Sequence, residues 1–347
     1  MMKFILALLL LSTAYADSLK TEPLLVPPLD WKKYQFQANC TIFDIKNVKK
    51  VYPGDICHFL PDGSFISINM VSIRKFSPTK KVLWELPGHY HHQINSGPGN
   101  KSIFVLKSEI TVKAGKRVRD DVFVNLDLDG KVIHQSSALK ILKQAGVTPT
   151  EYAEAEILTR LHANYETSHF NSIYEIPENK YSKKYEWMKA GNIITNSYSL
   201  GIFILSPNLQ KVIYHKELPF SNDHEFHDVQ VTEKGEFLLF NNYRKAQGER
   251  DIPHSAIQKY DPVTDLLTFE FMPLNKELFY SPACGGIQEF PEFIFFSHIT
   301  NGGYFYSKKE KKIILGLPGF AGDSRALVHT QQIKIVDVRE FLRNSKD

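Results

Sequence analysis

Histidine, asparagine and aspartate recur in this chain at spacings that would bring several imidazoles together. The groups are His89, His91 and His92; then His169 with Asn171; then His224, His227 and Asp228. His227 stands eight residues before Gly235, His91 eight before Gly99 and Asp55 eight before Gly63, while His169 stands eight before Pro177. Two chemistries suit such a cluster. Neutral imidazoles with a carboxylate bind a metal, fixed by further hydrogen bonds. Alternatively, one imidazole is a nucleophile, and the others with an amide donate to negative charge on a group in flight. A lone histidine is by default structural or solvated; three at matched positions favour a shared site, and composition leaves the two chemistries open.

Matched positions require repeated elements. His224-Glu225-Phe226-His227-Asp228-Val229-Gln230-Val231 runs through Glu233-Lys234-Gly235 into Phe237-Leu238-Leu239-Phe240-Asn241-Asn242, a polar head before two apolar runs joined by a glycine turn. That is the pattern of a hairpin whose first strand begins at a site. A second phrase, strand then polar turn then strand, is clearest in 41–51 against 72–82. It recurs with turns at Asp127-Leu128-Asp129-Gly130, Ser206-Pro207-Asn208-Leu209, Asp261-Pro262-Val263-Thr264 and Ser307-Lys308-Lys309-Glu310. Six units of four short strands, at a period of roughly 40 to 50 residues, predict an all-β fold, a six-bladed β-propeller. A β-sandwich is the rival and needs no such even repetition. Pairing of Leu327 to Val338 with the N-terminal strand would close the last blade and remove an exposed edge. The heads of the innermost strands would then face one central channel.

A helical insertion interrupts the pattern at about 136–162. Ser136 to Gly146 and Thr150 to Leu161 both show helical spacing, with Gly146 as a stop and Pro149-Thr150-Glu151 as a start. It could cap the channel or pack outside a blade.

Residues 1–16 carry a lysine, the apolar run Phe4 to Leu11 and Ala14-Tyr15-Ala16, which predicts a secretory signal peptide. The run is shorter than the roughly 20 apolar residues of a membrane anchor, and no cysteine follows the cleavage point to carry a lipid. The propeller would occupy 17–347, in the periplasm or outside the cell. The 42 Lys+Arg against 38 Asp+Glu are scattered, which argues against a nucleic-acid partner. Three cysteines in an oxidising compartment predict one bridge; Cys40 and Cys57, near in sequence at strand edges, are paired here, leaving Cys284 free.

His169-Phe170-Asn171-Ser172-Ile173 after a helical insertion, Phe226-His227-Asp228-Val229 leading to Leu238-Leu239-Phe240-Asn241-Asn242, and His91-His92-Gln93-Ile94 resemble motifs of the bacterial arylsulfate sulfotransferases. The likeness runs from about Asp55 to Gln288. It implies a periplasmic six-bladed propeller that moves a sulfuryl group from a phenolic sulfate ester to a phenol through a sulfated histidine, with no nucleotide donor and no cofactor. By that resemblance His227 is the catalytic nucleophile, and His91, His92, His169 and Asn171 bind the substrate sulfate. Counting back from the turn favours His91 over His92. Asp228, adjacent to His227 on a strand, would point to the opposite face and serve structure. The chain departs from the family at Thr195-Asn196-Ser197-Tyr198-Ser199, where the family's sulfate-binding arginine is missing. Arg244 and Lys245 are the nearby alternatives, and both also read as solvated loop charges. A non-catalytic binding or scaffolding propeller and a metal-dependent enzyme are the competing functions.

Overall fold

The computed structural model describes residues 35–38, 41–43, 48–51, 53–69, 71–113, 115–147, 153–154, 165–166, 168–197, 200–218, 224–243, 254–271, 281, 285–298, 302–317, 333–336 and 344. The signal segment, Cys40, Cys284, Arg244 and Lys245 lie outside these.

The protein is all-β and propeller-like: the described residues form five four-stranded antiparallel sheets, a sixth sheet of six strands, and an α-helix, Ala138–Ala145. Sheets are numbered here in chain order. The first joins Gln35–Ala38, Thr41–Phe43 and Val48–Val51 to the C-terminal strand Ile333–Val336, which pairs antiparallel with Gln35–Ala38. The second runs from Ile56–Phe59 to Val82–Pro87, and the third starts at His89–Ser96. The fourth runs from Phe170–Glu175 to Val212–Lys216, the fifth from His224–Val231 to Leu266–Phe271, and the sixth from Gly286–Glu289 to Lys312–Leu317.

The first strands of successive sheets lie side by side. Ile56–Phe59 packs against His89–Ser96, which packs against Phe170–Glu175, then His224–Val231, Gly286–Glu289 and Ile333–Val336. Burial falls off away from this series. In the fourth sheet Ile193–Ser197 and Gly201–Leu205 are wholly buried, whereas the last strand, Val212–Lys216, is half-buried. In the fifth, the last strand Leu266–Phe271 is largely exposed. Inner strands covered on both faces can be continuously apolar, and outer ones must alternate.

Apolar side chains fill the spaces between neighbouring sheets. Phe170 stands edge-on to Phe123 of the third sheet at 4.8 Å and to Phe203 of its own at 5.4 Å. Each such buried ring contributes about 1.5–3 kcal/mol. Leu238, Phe240 and Ile257 meet Ile287, Ile294 and Phe296 in the same way between the fifth and sixth sheets. Gly63, Gly99 and Gly235, the turn glycines of the repeat, all have positive φ (83°, 60° and 76°), the region L-residues avoid. At Gly235 a Cβ would also stand 2.3 Å from the ring of Tyr181.

The first half of the insertion is helical and stops at Gly146 as expected, and the second half departs from expectation at its described residues, 153–154. The helix is capped by Ser137, whose side chain accepts from Lys140 N, and ends at left-handed Gly146. It buries Ala138, Ile141 and Leu142 between the third and fourth sheets, so it is a wedge in the core. Thr150 to Leu161, expected helical, contains the strand Ala153–Glu154, which pairs with Tyr165–Glu166, itself parallel to Val118–Arg119. A partner strand overrides helical spacing where it offers backbone hydrogen bonds.

Candidate functional site

The first strands of the third, fourth and fifth sheets are each broken near their start by a bulge. Pairing passes from His91↔Leu106 to Ile94↔Val105, skipping His92 and Gln93. It passes from Phe170↔Ser197 to Ser172↔Asn196, skipping Asn171, and from Phe226↔Asn241 to Asp228↔Phe240, skipping His227. A bulge frees a residue from the ladder and re-aims its side chain. By this register the counterparts of His227 are His92 and Asn171, and not His91 and His169 as the count from the turn gave. The count went astray because the third sheet turns sooner after Ile94 than the fifth does after Val229.

His92 and His169 both hold left-handed backbone, φ 64° and 43°, a strain of about 1–3 kcal/mol each that clusters at functional positions. The four imidazoles of His89, His91, His92 and His169 form a chain. Ring centroids are 6.0 Å apart for His89 and His91, 4.6 Å for His91 and His92, and 5.5 Å for His92 and His169. The Nδ1 atoms of His91 and His92 share a hydrogen bond.

Behind the imidazoles lies a buried ion pair. Arg119 Nη2 and His91 Nε2 each stand 3.2 Å from Asp121 Oδ1, and Arg119 Nε donates to Ser108 Oγ at 2.8 Å. Asp121 Oδ2 accepts from the backbone of Phe170 at 2.8 Å, which pins the start of the fourth sheet beside His169. Sequence spacing did not single out Arg119. The usable signal was Arg119-Asp120-Asp121 running into the apolar Val122-Phe123-Val124, since alternation puts Arg119 and Asp121 on one face. Asp120, on the other face, accepts from Ser137 Oγ and Leu139 N at the helix start.

The electrostatics follow from burial and this ion pair. Burial alone would raise the Asp121 carboxyl, but Arg119 and then His91 hold it well below the usual carboxylate range. Burial, then Arg119, lowers His91. Burial, then His91 and His169, lowers His92 further, and burial, His91 and Arg119 bring His89 to about 4. The cluster therefore holds His89, His91 and His92 neutral near pH 7, with ring nitrogens able to donate and accept.

Asn171 is fully buried, and its Nδ2 donates to Phe226 O at 2.9 Å. A carbonyl only accepts, so the amide orientation is fixed. Its Oδ1 is a buried acceptor that meets no donor among the described residues. Asn196 Nδ2 donates to the same Phe226 oxygen at 2.6 Å, and Thr195 Oγ1 to Ser172 O at 2.6 Å. Thr195 and Asn196 thus give this strand neutral, internally paired side chains. His227 is buried (7% exposed) in the bulge that follows Phe226. Asp228 (1% exposed) accepts from Ile287 N at 3.0 Å and lies 3.5 Å from the amides of Gln93 and Gln230, linking the third, fifth and sixth sheets. His224 is described in its backbone alone.

The profile of the family Arylsulfotransferase (ASST) matches residues 89–315, from the first histidine of the cluster through the sixth sheet. The chain belongs to the arylsulfotransferase family. No curated protein matches it. Among solved structures, a Bacteroides caccae protein of unknown function is similar, with a TM-score of 0.52 and 10% identity over 88% of this chain and 99% of that one. Saccharomyces cerevisiae Sqt1 gives a TM-score of 0.42 at 10% identity (76% and 73% covered). The β-propeller domain of Myceliophteria thermophila Cps50 (Swd1) gives 0.41 at 11% (78% and 89%). In this arylsulfotransferase-family chain, no group of three or more His, Cys, Asp or Glu among the described residues is arranged to hold a metal ion. No described helix is long and apolar enough to cross a membrane.

Proposed function

We propose that this protein is an exported sulfotransferase that moves a sulfuryl group from a phenolic sulfate ester to a phenol through a sulfated His227. The observation that carries this reading is the buried Arg119–Asp121 pair set against the imidazoles of His89, His91, His92 and His169, within the stretch matched by the family. A sulfuryl group in flight spreads negative charge over its oxygens, as a phosphoryl group does, and is stabilised chiefly by positioned donors and fixed charge. Arg119 supplies the charge that the Thr195 to Ser199 segment lacks. His92 and His169 contact the sulfate, while Asn171 offers its Oδ1 to the phenol hydroxyl and its Nδ2 to the backbone beside His227.

Six sheets whose first strands lie in series, one of them shared between the chain ends, support six blades around a channel. The signal segment, export and the Cys40–Cys57 bridge belong to the same reading. The test is incubation with an aryl sulfate and a phenol, without nucleotide or added metal. Transfer, with one SO3 group trapped on the His227 peptide, is expected. Binding of aryl sulfates without transfer or labelling would favour a non-catalytic binding propeller, the reading that the neutral Thr195–Ser197 strand favours.

A further inference from the structure

The bulge that carries His227 needs support from outside its own ladder. A residue skipped by the pairing lacks the cross-strand hydrogen bonds that fix a backbone, so its neighbours must be held in another way. On one side, Asn171 and Asn196 of the fourth sheet hold the Phe226 carbonyl. On the other stands Asp228, 1% exposed. Its Oδ2 accepts from Ile287 N of the sixth sheet at 3.0 Å and lies 3.5 Å from Gln230 Nε2, while its Oδ1 lies 3.5 Å from Gln93 Nε2 of the third. The third and fifth sheets are separated in the series by the fourth, so this last contact passes along the inner side of the fourth sheet, where Tyr174 stands. Alternation lapses at a bulge, so the direction of Asp228 does not force His227 to the opposite face.

The groups around the carboxylate are themselves held. Gln93 Oε1 accepts from Asn95 Nδ2 at 2.8 Å, and Gln230 Nε2 donates to Ile287 O at 2.6 Å. Both amide orientations are thereby fixed, with an NH2 group of each toward Asp228. Burial, then the Asp228 charge, raises the Tyr174 phenol well above its ordinary value, so its hydroxyl keeps its proton. An ionised carboxylate only accepts, and each of these groups donates.

We infer that Asp228 is a positioning residue for the nucleophile: it ties the bulge of the fifth sheet to the third, fourth and sixth, and so sets where His227 stands relative to the bound sulfate. The inference rests on the sulfotransferase reading above, in which His92, His169 and Asn171 hold the sulfate from the third and fourth sheets. The attacking nitrogen comes from the fifth, so its approach to sulfur depends on how that sheet is fixed against the other two. An amide in place of the carboxylate keeps the size but turns one acceptor oxygen into a donor, facing either Gln93 or the pair Ile287 N and Gln230. A shift of about 1 Å in a reacting group can cost about 100-fold in rate.

Kinetics and a crystal structure of Asp228→Asn test this. With an aryl sulfate donor, kcat should fall about 100-fold and KM should change little, because the sulfate contacts stay in place. Lys259→Met is the comparison, since Lys259 and Glu289 also tie the fifth sheet to the sixth, through a strand that does not carry the bulge. It should lose stability and keep kcat. Loss of kcat in both variants in proportion to lost stability would make Asp228 a structural tie and overturn the inference. Gln93→Met removes only the reach to the third sheet; it should show the same split at smaller size, and it replaces Asp228→Asn where that variant does not fold. In the crystal, His227 should be displaced or divided between two positions while His92 and His169 stay; an unmoved His227 would overturn the inference. A displaced His227 in a protein whose wild type transfers nothing would retain the positioning role and reject the transferase reading alone.

Discussion

Asn171 Nδ2 lies 2.9 Å from the carbonyl oxygen of Phe226, the residue just before His227. Asn196 Nδ2 reaches the same oxygen at 2.6 Å. The bulge interrupts the ladder beside this carbonyl, and two amides from the fourth sheet hold it. Replacing both with alanine would remove two buried hydrogen bonds to that carbonyl, at a cost of about 1–3 kcal/mol. Urea unfolding should show that loss. Transfer kinetics should show a lower kcat, since His227 is then less firmly held.

His227→Asn removes the proposed nucleophile and keeps a polar side chain of similar length. Sulfuryl transfer should fall by about a thousandfold or more, with an unchanged circular dichroism spectrum. Retained activity would reject the covalent route.

Arg119→Met leaves the Asp121 carboxylate buried without its cation. Breaking a buried pair from one side costs about 3–5 kcal/mol, to be measured as a lower urea midpoint. With the repulsion gone, His89, His91 and His92 should protonate more readily. The acid limb of the rate profile should therefore move to higher pH, while Arg119→Lys should move it little.

Stability should fall as the solution is acidified from about pH 6.5, the unfolded histidine value. His89, His91 and His92 have folded values below it, about 4 for His89. Each binds a proton on unfolding, so its contribution is full above about 6.5 and is lost toward its folded value, at about 1.4 kcal/mol per pH unit per proton. Asp120, raised to about 6 by burial, works in the opposite sense between about 4 and 6 and offsets one of them. Asp121, held low, adds stability above about 4 that is lost below. Urea midpoints across this range should decline, and a flat profile would contradict the neutral buried cluster.

Periodicity determined much of this protein. Alternating apolar runs, turn glycines at Gly63, Gly99 and Gly235, and the six strand-turn-strand phrases mark short antiparallel strands, because backbone pleat and turn geometry are local properties. The likeness of the three His motifs pointed to the family for the same reason: short phrases keep their residue types. Tertiary structure decided the rest. Equating His92 with His227 depends on bulges, and a bulge shows only in the pairing with a neighbouring strand. Ala153–Glu154 is a strand because Tyr165–Glu166 lies beside it. Arg119 belongs to the site because Asp121 and His91, on different strands, converge on it, and such a meeting is a matter of register between strands that sequence spacing does not specify.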